Sequence, residues 1–436
     1  MISALTIPLP LASTAAELRS GQRDLLSYIN DTCDRIDELE PHIQALLPES
    51  ERRARLLAEA TSLQQRFPDP EQRPPLYGVL LGVKDIFRAD GFPTQAGSQL
   101  PAELFAGPEA SCVSKLRDSG ALVLGKTVST EFASDEPGPT RNPHHLAHTP
   151  GGSSSGSAAA VASGFCSLAL GTQTMGSVIR PAAFCGVVGF KPTYGRIATD
   201  GLIFYSPSVD TIGLFTQDVA GMATVAPLLC ADWQPVSAPT RSPVLAVPEG
   251  PYLSQTEPEA LANFWRQVSQ LEKGGYTVRR VPAFGTIESI KEQSRHLTSA
   301  EMALGHAHWF ATYASLYRPR TVEKIRGGQQ ISLEQLTRAR AGREALRNEL
   351  EGLLQQANAD LWICPAAIGP APEGLTSTGA TVMNLPWSYA GLPALSLPAG
   401  RAANSLPLGL QLVAPTMADE QLLAWASLMA ETLKPA

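Results

Sequence analysis

The sequence predicts an α/β fold with a sheet covered by helices on both faces. Three observations carry this. Short apolar runs alternate with helical stretches along the whole chain, the pattern of strands packed between helices. Hydrophobic residues make up 44% of the 436 and charged residues 17%, a balance that supplies a sizeable core. No long linker and no internal repeat divides the chain. One domain over 1–436 is expected, with its core at about 70–230 and 360–436 and with 245–360 as a peripheral helical layer.

Helical patterning covers roughly 13–65 and ends near Pro68 and Pro70, since proline cannot continue a helix. "LYGVLLGVKDIF" (76–87) reads as a buried strand entering a loop, and "ALVLGKT" (121–127) as a second. A helix over 157–163 stops at Gly164, and "FCSLALG" (165–171) is a third strand. A short helix starts near Ser177, and "CGVVGFKPT" (185–193) returns to strand. An amphipathic helix spans 257–273, Gly274–Gly275 turns it, and "YTVRRV" is a strand. A long helix covers about 332–357, followed by strands in "DLWICP" (360–365), "GLPALSLPAG" (391–400) and "LGLQLVA" (408–414).

Composition excludes several functions. The net charge is −7 and no basic run stands out, which argues against nucleic acid and anionic membranes as partners. The six cysteines are scattered without a C-x-x-C, so they read as buried small hydrophobes of a reduced compartment. "MISALTIPLPLA" lacks a basic n-region and carries two prolines; no signal peptide is expected, and the cytoplasm is the expected location. Residues 142–179 contain no Asp, Glu, Lys or Arg, yet Gly, Ser, Gln and Thr break every apolar run of membrane length.

The stretch "TPGGSSSGSAAA" (149–160) is the most unusual part of the chain. A linker would lead into polar, nonperiodic sequence, whereas this stretch runs into a helix and an apolar strand. A P-loop needs G-x-x-x-x-G-K-[ST], and no lysine follows. A tight Gly-Gly-Ser turn entering a helix still gathers N–H groups and hydroxyls at one point. That suits a site handling an oxyanion.

These residues, with others in order from about 76 to 414, resemble the amidase signature family of serine amidohydrolases. The resemblance rests on "GVLLGVKD" (78–85), "LGKT" (124–127), "PGGSSSGSAAAVASG" (150–164), "LALGTQTMGSVIRPAAFCGVVGFKPTYGRI" (168–197), "SVDTIG" (208–213), "GLPALSLPAG" (391–400) and "LGLQLV" (408–413). It implies a large mixed, mostly parallel sheet and a Ser–Ser–Lys triad. Matched position by position, the nucleophile is Ser177, the bridging serine Ser153 and the base Lys84. It also implies a cis peptide before the bridging serine, here Gly152–Ser153. The implied oxyanion hole is made by the backbone N–H groups of Thr174, Met175, Gly176 and Ser177. No cofactor and no metal is implied.

The chemistry is coherent with that assignment. A serine hydroxyl is a weak nucleophile and needs a base. Of the seven histidines only the "HHLAH" group (144–148) is clustered; it lacks a nearby Asp or Glu to orient it and reads as loop-shaping. Lysine serves only when neutral. Its reference pKa is about 10.4, so a base working near pH 7–8 needs a drop of roughly 3 units, about 4 kcal/mol. Burial behind "LYGVLLGV" supplies this. Asp85 is adjacent, but neighbours on a strand face opposite ways.

Two positions depart from the commoner family pattern. Met175 stands where glycine is usual; it caps the acyl pocket, is tolerated packing, or marks an altered site. Arg180 lies one position later than usual, in G-S-V-I-R-P-A, which resembles the malonamidase-like branch, where this arginine meets a substrate carboxylate. Gln217 matches a substrate-contacting glutamine of that branch. The alternative for Arg180 is a structural pairing with an acidic residue.

The expected activity is hydrolysis of a small amide, malonamate-like or ureido-acid-like, to acid plus ammonia or amine through a Ser177 acyl-enzyme. The expected partner is a small-molecule amide, and a homodimer is compatible with the sequence. Two alternatives stand: the amidase component of a tRNA-dependent amidotransferase complex, and a non-catalytic amidase-like binding protein.

Overall fold

A computed structural model describes residues 4–433. Ten strands form one sheet: β1 (Leu80–Lys84), β2 (Leu122–Thr127), β3 (Leu168–Gln173), β4 (Val188–Lys191), β5 (Thr211–Thr216), β6 (Leu245–Glu249), β7 (Val278–Pro282), β8 (Leu361–Pro365), β9 (Ala394–Arg401) and β10 (Pro407–Val413). Their order is β2-β1-β3-β5-β4-β9-β10-β8-β6-β7.

The side-chain period of two sorts the strand residues onto two faces. Leu80, Leu122, Leu124 and Ala169 pack under the helices Leu25–Ile43, Arg52–Arg66 and Ser155–Ala162. Their neighbours Leu81, Val83, Val123, Leu168 and Leu170 join the second core with Val113, Leu116, Met222 and Leu229, from the helices Ser111–Asp118 and Val219–Leu229. Both faces are therefore covered, which is why the strands read as continuous apolar runs.

The sheet is mixed as expected, but its parallel share is smaller. Parallel pairing is confined to the ends, β2–β1, β1–β3, β8–β6 and β6–β7. The pairs β3–β5, β5–β4, β4–β9, β9–β10 and β10–β8 are antiparallel. The end strands are joined by helical crossovers; the central ones are reached by hairpin or long return connections, which reverse direction.

The segment 245–360 is not helical throughout. It adds β6 and β7, at one end of the same sheet, together with the helices Pro258–Lys273, Ile287–Gly305, Ala307–Tyr313, Pro319–Gly328 and Leu333–Gln356. Some helix starts carry side-chain caps: Asp24 accepts from Ser27 N at 2.8 Å, and Ser332 and Gln335 form a capping box. Gly164 ends the helix Ser155–Ala162 region with φ +66, where a Cβ would meet Ile7 Cγ1 at 2.5 Å. No described helix is long and apolar enough to cross a membrane, and all six cysteines are free and buried.

Directions of chain within the sheet place the site. β1 ends at Lys84, β3 ends at Gln173, and β5 begins at Thr211, opposite Gln173. The C-terminal ends of two strands and the start of a third therefore meet at one edge of the sheet, between the loops that carry the serines.

Candidate active site

Lys84 closes β1 and is fully buried. Its Nζ donates to Ser153 Oγ at 2.8 Å and to Thr172 Oγ1 at 2.8 Å. Burial pulls its pKa down to about 7, against a smaller opposing pull from Asp210. Asp85 faces away, as strand alternation requires: it pairs with Lys126 at 3.0 Å and accepts from Gln95 N and Gly97 N. Lys84 is thus left among hydroxyls, which neither neutralise nor fix its charge.

Ser153 lies just before the helix Ser155–Ala162, and the Gly152–Ser153 peptide is cis. Its carbonyl accepts from Thr130 N at 3.2 Å. Ser177 sits in the turn between β3 and the helix Ile179–Cys185 and is 7% exposed. The two serine loops are tied together by Arg180, whose Nη2 donates to Gly152 O at 2.5 Å. The packing agrees, since a Cβ on Gly151 would meet Pro181 Cα at 2.9 Å. The hydrogen-bonded pair of the three is Lys84–Ser153; among the described residues, Ser177 Oγ is bonded to neither.

The turn 174–177 is held from behind. Gln173 Oε1 accepts from Val178 N at 2.8 Å and Ile179 N at 2.9 Å. Gln173 Nε2 donates to Ser388 Oγ, and Ser388 Oγ donates to Met175 O, both at 2.8 Å. Thr174 Oγ1 donates to Asp210 Oδ1. Gly176 is required by a close approach, because a Cβ there would sit 2.6 Å from Asn384 Oδ1. Met175 has no left-handed backbone, so the usual glycine is not demanded by φ; its side chain is half-buried against the main core.

Four residues of this arrangement were not foreseen. Asp210, Thr172 and Gln173 lie inside motifs legible in the sequence, but nothing in those motifs says which side chain faces the lysine or the turn. Asp210 is buried and also accepts from Tyr205 N at 2.8 Å and Ser206 N at 2.9 Å; burial raises its pKa to about 6. Ser388 is over two hundred residues away from its partner Met175 and had no signal.

Arg180 is 2% exposed. Nη1 donates to Gly379 O at 2.7 Å, and Nη2 also reaches Thr378 Oγ1 at 3.1 Å. Nε has no partner. All its acceptors are uncharged, and burial lowers its pKa to about 10. The structural pairing with an acidic residue is therefore absent as a direct bond.

Gln217 is not brought together with these residues. It follows β5 at the end away from Asp210, and its Nε2 donates to Ile7 O at 2.8 Å and Val161 O at 2.9 Å, while Oε1 accepts from Leu9 N. It fastens the N-terminal segment to the helix Ser155–Ala162, apart from Lys84, Ser153 and Ser177. The histidines shape a loop: His144 Nε2 bonds Cys185 O at 2.9 Å and His148 Nδ1 bonds Ala371 O at 2.8 Å. No group of three or more His, Cys, Asp or Glu among the described residues is arranged to hold a metal ion. An open cleft of about 830 Å³ lies beside the Val128–Ser129 segment, but Lys84, Ser153 and Ser177 do not line it.

A buried lysine with its pKa lowered to about 7 and bonded to one serine, with a second serine in a loop tied to the first through Arg180, is the equipment of acyl transfer. Comparison with known proteins agrees. The family model described as Amidase matches residues 27–423. One component of the glutamyl-tRNA(Gln) amidotransferase of Prochlorococcus marinus is 29% identical over 470 residues, covering 95% of each chain. A crystal structure described as an amidase superposes with a TM-score of 0.89 at 30% identity, covering 98% of this chain and 100% of the other. The peptide amidase of Stenotrophomonas maltophilia superposes with a TM-score of 0.81 at 26% identity, covering 97% and 96%. The chain belongs to the amidase family and is a hydrolase of amide C–N bonds.

Proposed function

We propose that the protein hydrolyses a small amide bearing a carboxylate, through an acyl-enzyme on Ser177. The observation that carries this is Lys84: buried, with its pKa lowered to about 7, and 2.8 Å from Ser153 Oγ. A neutral amine keeps two N–H donors and one lone pair. One donor serves Thr172, and the lone pair takes the proton of Ser153.

In this reading Ser177 Oγ attacks the amide carbon and passes its proton to Ser153, whose own proton moves to Lys84. The amide oxygen becomes an oxyanion facing the N–H groups of Thr174, Met175, Gly176 and Ser177. Among the described residues none of these four amides has a protein acceptor, whereas those of Val178 and Ile179 are taken by Gln173. Collapse of the intermediate breaks the C–N bond, and the proton returns from Lys84 through Ser153 to the leaving amine or ammonia. Water, deprotonated by the same relay, then releases the acid and restores Ser177.

The carboxylate on the substrate is supported by Arg180. Its guanidinium is buried beside the cis peptide with only uncharged acceptors and a free Nε. Asp135 favours its charge only from a distance; a buried charge without a bonded counter-charge is costly, and an anionic substrate group offsets that cost. The experiment is turnover of malonamate by the isolated chain, with the acyl group trapped on Ser177 and located by mass. A chain that leaves malonamate and neutral aliphatic amides of similar size untouched defeats the proposal.

A second reading is favoured by the relatives. The amidotransferase component named above matches over 95% of both chains, which supports an amidase module working inside a larger assembly. Amide hydrolysis by the isolated chain, without partner, ATP or tRNA, separates the two.

A further inference from the structure

The amides of the turn 174–177 face the right way only if the peptide planes are fixed, and two side chains outside the triad fix them. In a trans peptide the C=O and the next N–H point in opposite directions. Ser388 Oγ donates to Met175 O at 2.8 Å. It therefore sets the Met175–Gly176 plane and turns Gly176 N–H away from the helix Leu385–Ala390 that carries Ser388. Arg180 N donates to Gly176 O at 3.1 Å, so the next plane is aligned with the helix axis and Ser177 N–H points out of its N-terminus.

Ser388 has one proton to give, and its direction is set by its other partner. Gln173 Nε2 is a donor only, and it bonds Ser388 Oγ at 2.8 Å. Ser388 must accept there, so its own proton goes to Met175 O. Gln173 Oε1 meanwhile holds the amides of Val178 and Ile179. These are the next two donors at the helix start and the ones that would compete for an anion. Both residues are buried, Gln173 at 1% and Ser388 at 2% exposure.

We propose that Gln173 and Ser388 are positioning residues of the oxyanion turn, acting as one unit through the Ser388–Met175 hydrogen bond. This rests on the reading of Ser177 as nucleophile and of the 174–177 amides as its oxyanion hole. A glutamate at 173 keeps both amide acceptors but presents a second oxygen to Ser388. The Ser388 proton then turns to that oxygen and Met175 O is released. Gln173→Glu and Ser388→Ala thus break the same bond from its two ends.

The test needs no natural substrate. A fluorophosphonate labels an activated serine: the Ser177 Oγ–P bond forms, P–F breaks, fluoride leaves, and the Ser177 proton passes to Ser153. The P=O oxygen takes the place of the oxyanion. We expect Ser388→Ala and Gln173→Glu each to slow the maximal labelling rate by about 10- to 100-fold, less than outright loss of an oxyanion donor. Half-saturation by the probe should stay within about two-fold, because ground-state binding is untouched. The double variant should label no more slowly than the slower single. Unchanged labelling of folded Ser388→Ala, or losses that multiply in the double variant, overturns the proposal. A wild-type chain that is not labelled at Ser177 defeats the underlying reading instead, and with it the proposal.

Discussion

Lys84 Nζ and Ser153 Oγ meet at 2.8 Å in a setting where the lysine has hydroxyls for partners and no bonded carboxylate. Asp210, which favours its charged form, is bonded instead to Thr174, Tyr205 and Ser206. Desolvation therefore wins over attraction, and the pKa falls from 10.5 to about 7. Lys84, the proposed base, is mostly neutral above that value and mostly protonated below it. Activity should rise about tenfold per pH unit below pH 7 and level off above it. The same shift predicts that stability increases with pH from about 7 to 10.5, where the unfolded lysine binds a proton and the folded one does not. The measurement is kcat/KM against pH with chemistry limiting; a rate that stays flat from about pH 9 to about pH 5 rules lysine out as the base.

Substitutions in the triad should separate bond-making from proton transfer. Ser177→Ala should abolish turnover, since no other group forms the acyl bond. Ser153→Ala and Lys84→Ala should keep weak activity, about 10²–10⁴-fold down, the usual worth of acid–base assistance. Full activity in Ser177→Ala ends the assignment.

The difference between legible and illegible parts follows from range. β1, β2 and β3 were readable because burial on both faces makes each an uninterrupted apolar run. Lys84 and Ser153 were readable as motif positions, and Asp85 as facing away, because alternation is local. β5 was not picked out although "SVDTIG" was noticed, because glycine and threonine dilute its pattern. The central antiparallel pairing was missed because strand order is set by contacts such as Lys191↔Ala394, far apart in the chain. Ser388 could not have been found, since only the folded sheet brings it beside Met175. Gln217 shows the limit of a motif position: the sequence does not say which end of β5 it occupies, and it follows the end away from Asp210.

Gln217 gives a test of that placement. Its side chain bonds Ile7, Leu9 and Val161. Gln217→Ala should therefore lower stability by about 1–3 kcal/mol, since it leaves backbone groups without partners. It should leave kcat/KM of the folded protein unchanged for every amide. Chemical denaturation alongside steady-state kinetics reads both. A selective rise in KM for a carboxylated amide would return Gln217 to the substrate site.

Arg180 has two roles to be separated. Its Nη atoms hold Gly152, Thr378 and Gly379, so any substitution loosens the loop over Ser153 and costs activity on all substrates. The proposed recognition role is additional and depends on the substrate's charge. With its Nη atoms engaged, Arg180 has its Nε–H left to meet a carboxylate alongside its charge; lysine keeps the charge but lacks that donor. Arg180→Lys should lower kcat/KM for a carboxylated amide by about 30- to 150-fold more than for a neutral amide of equal size, or about 2–3 kcal/mol. The informative quantity is the ratio between the two substrates in one variant, because damage to the loop divides out. Equal losses for both mean that Arg180 only holds the loop, and the carboxylate then has to be removed from the proposed substrate.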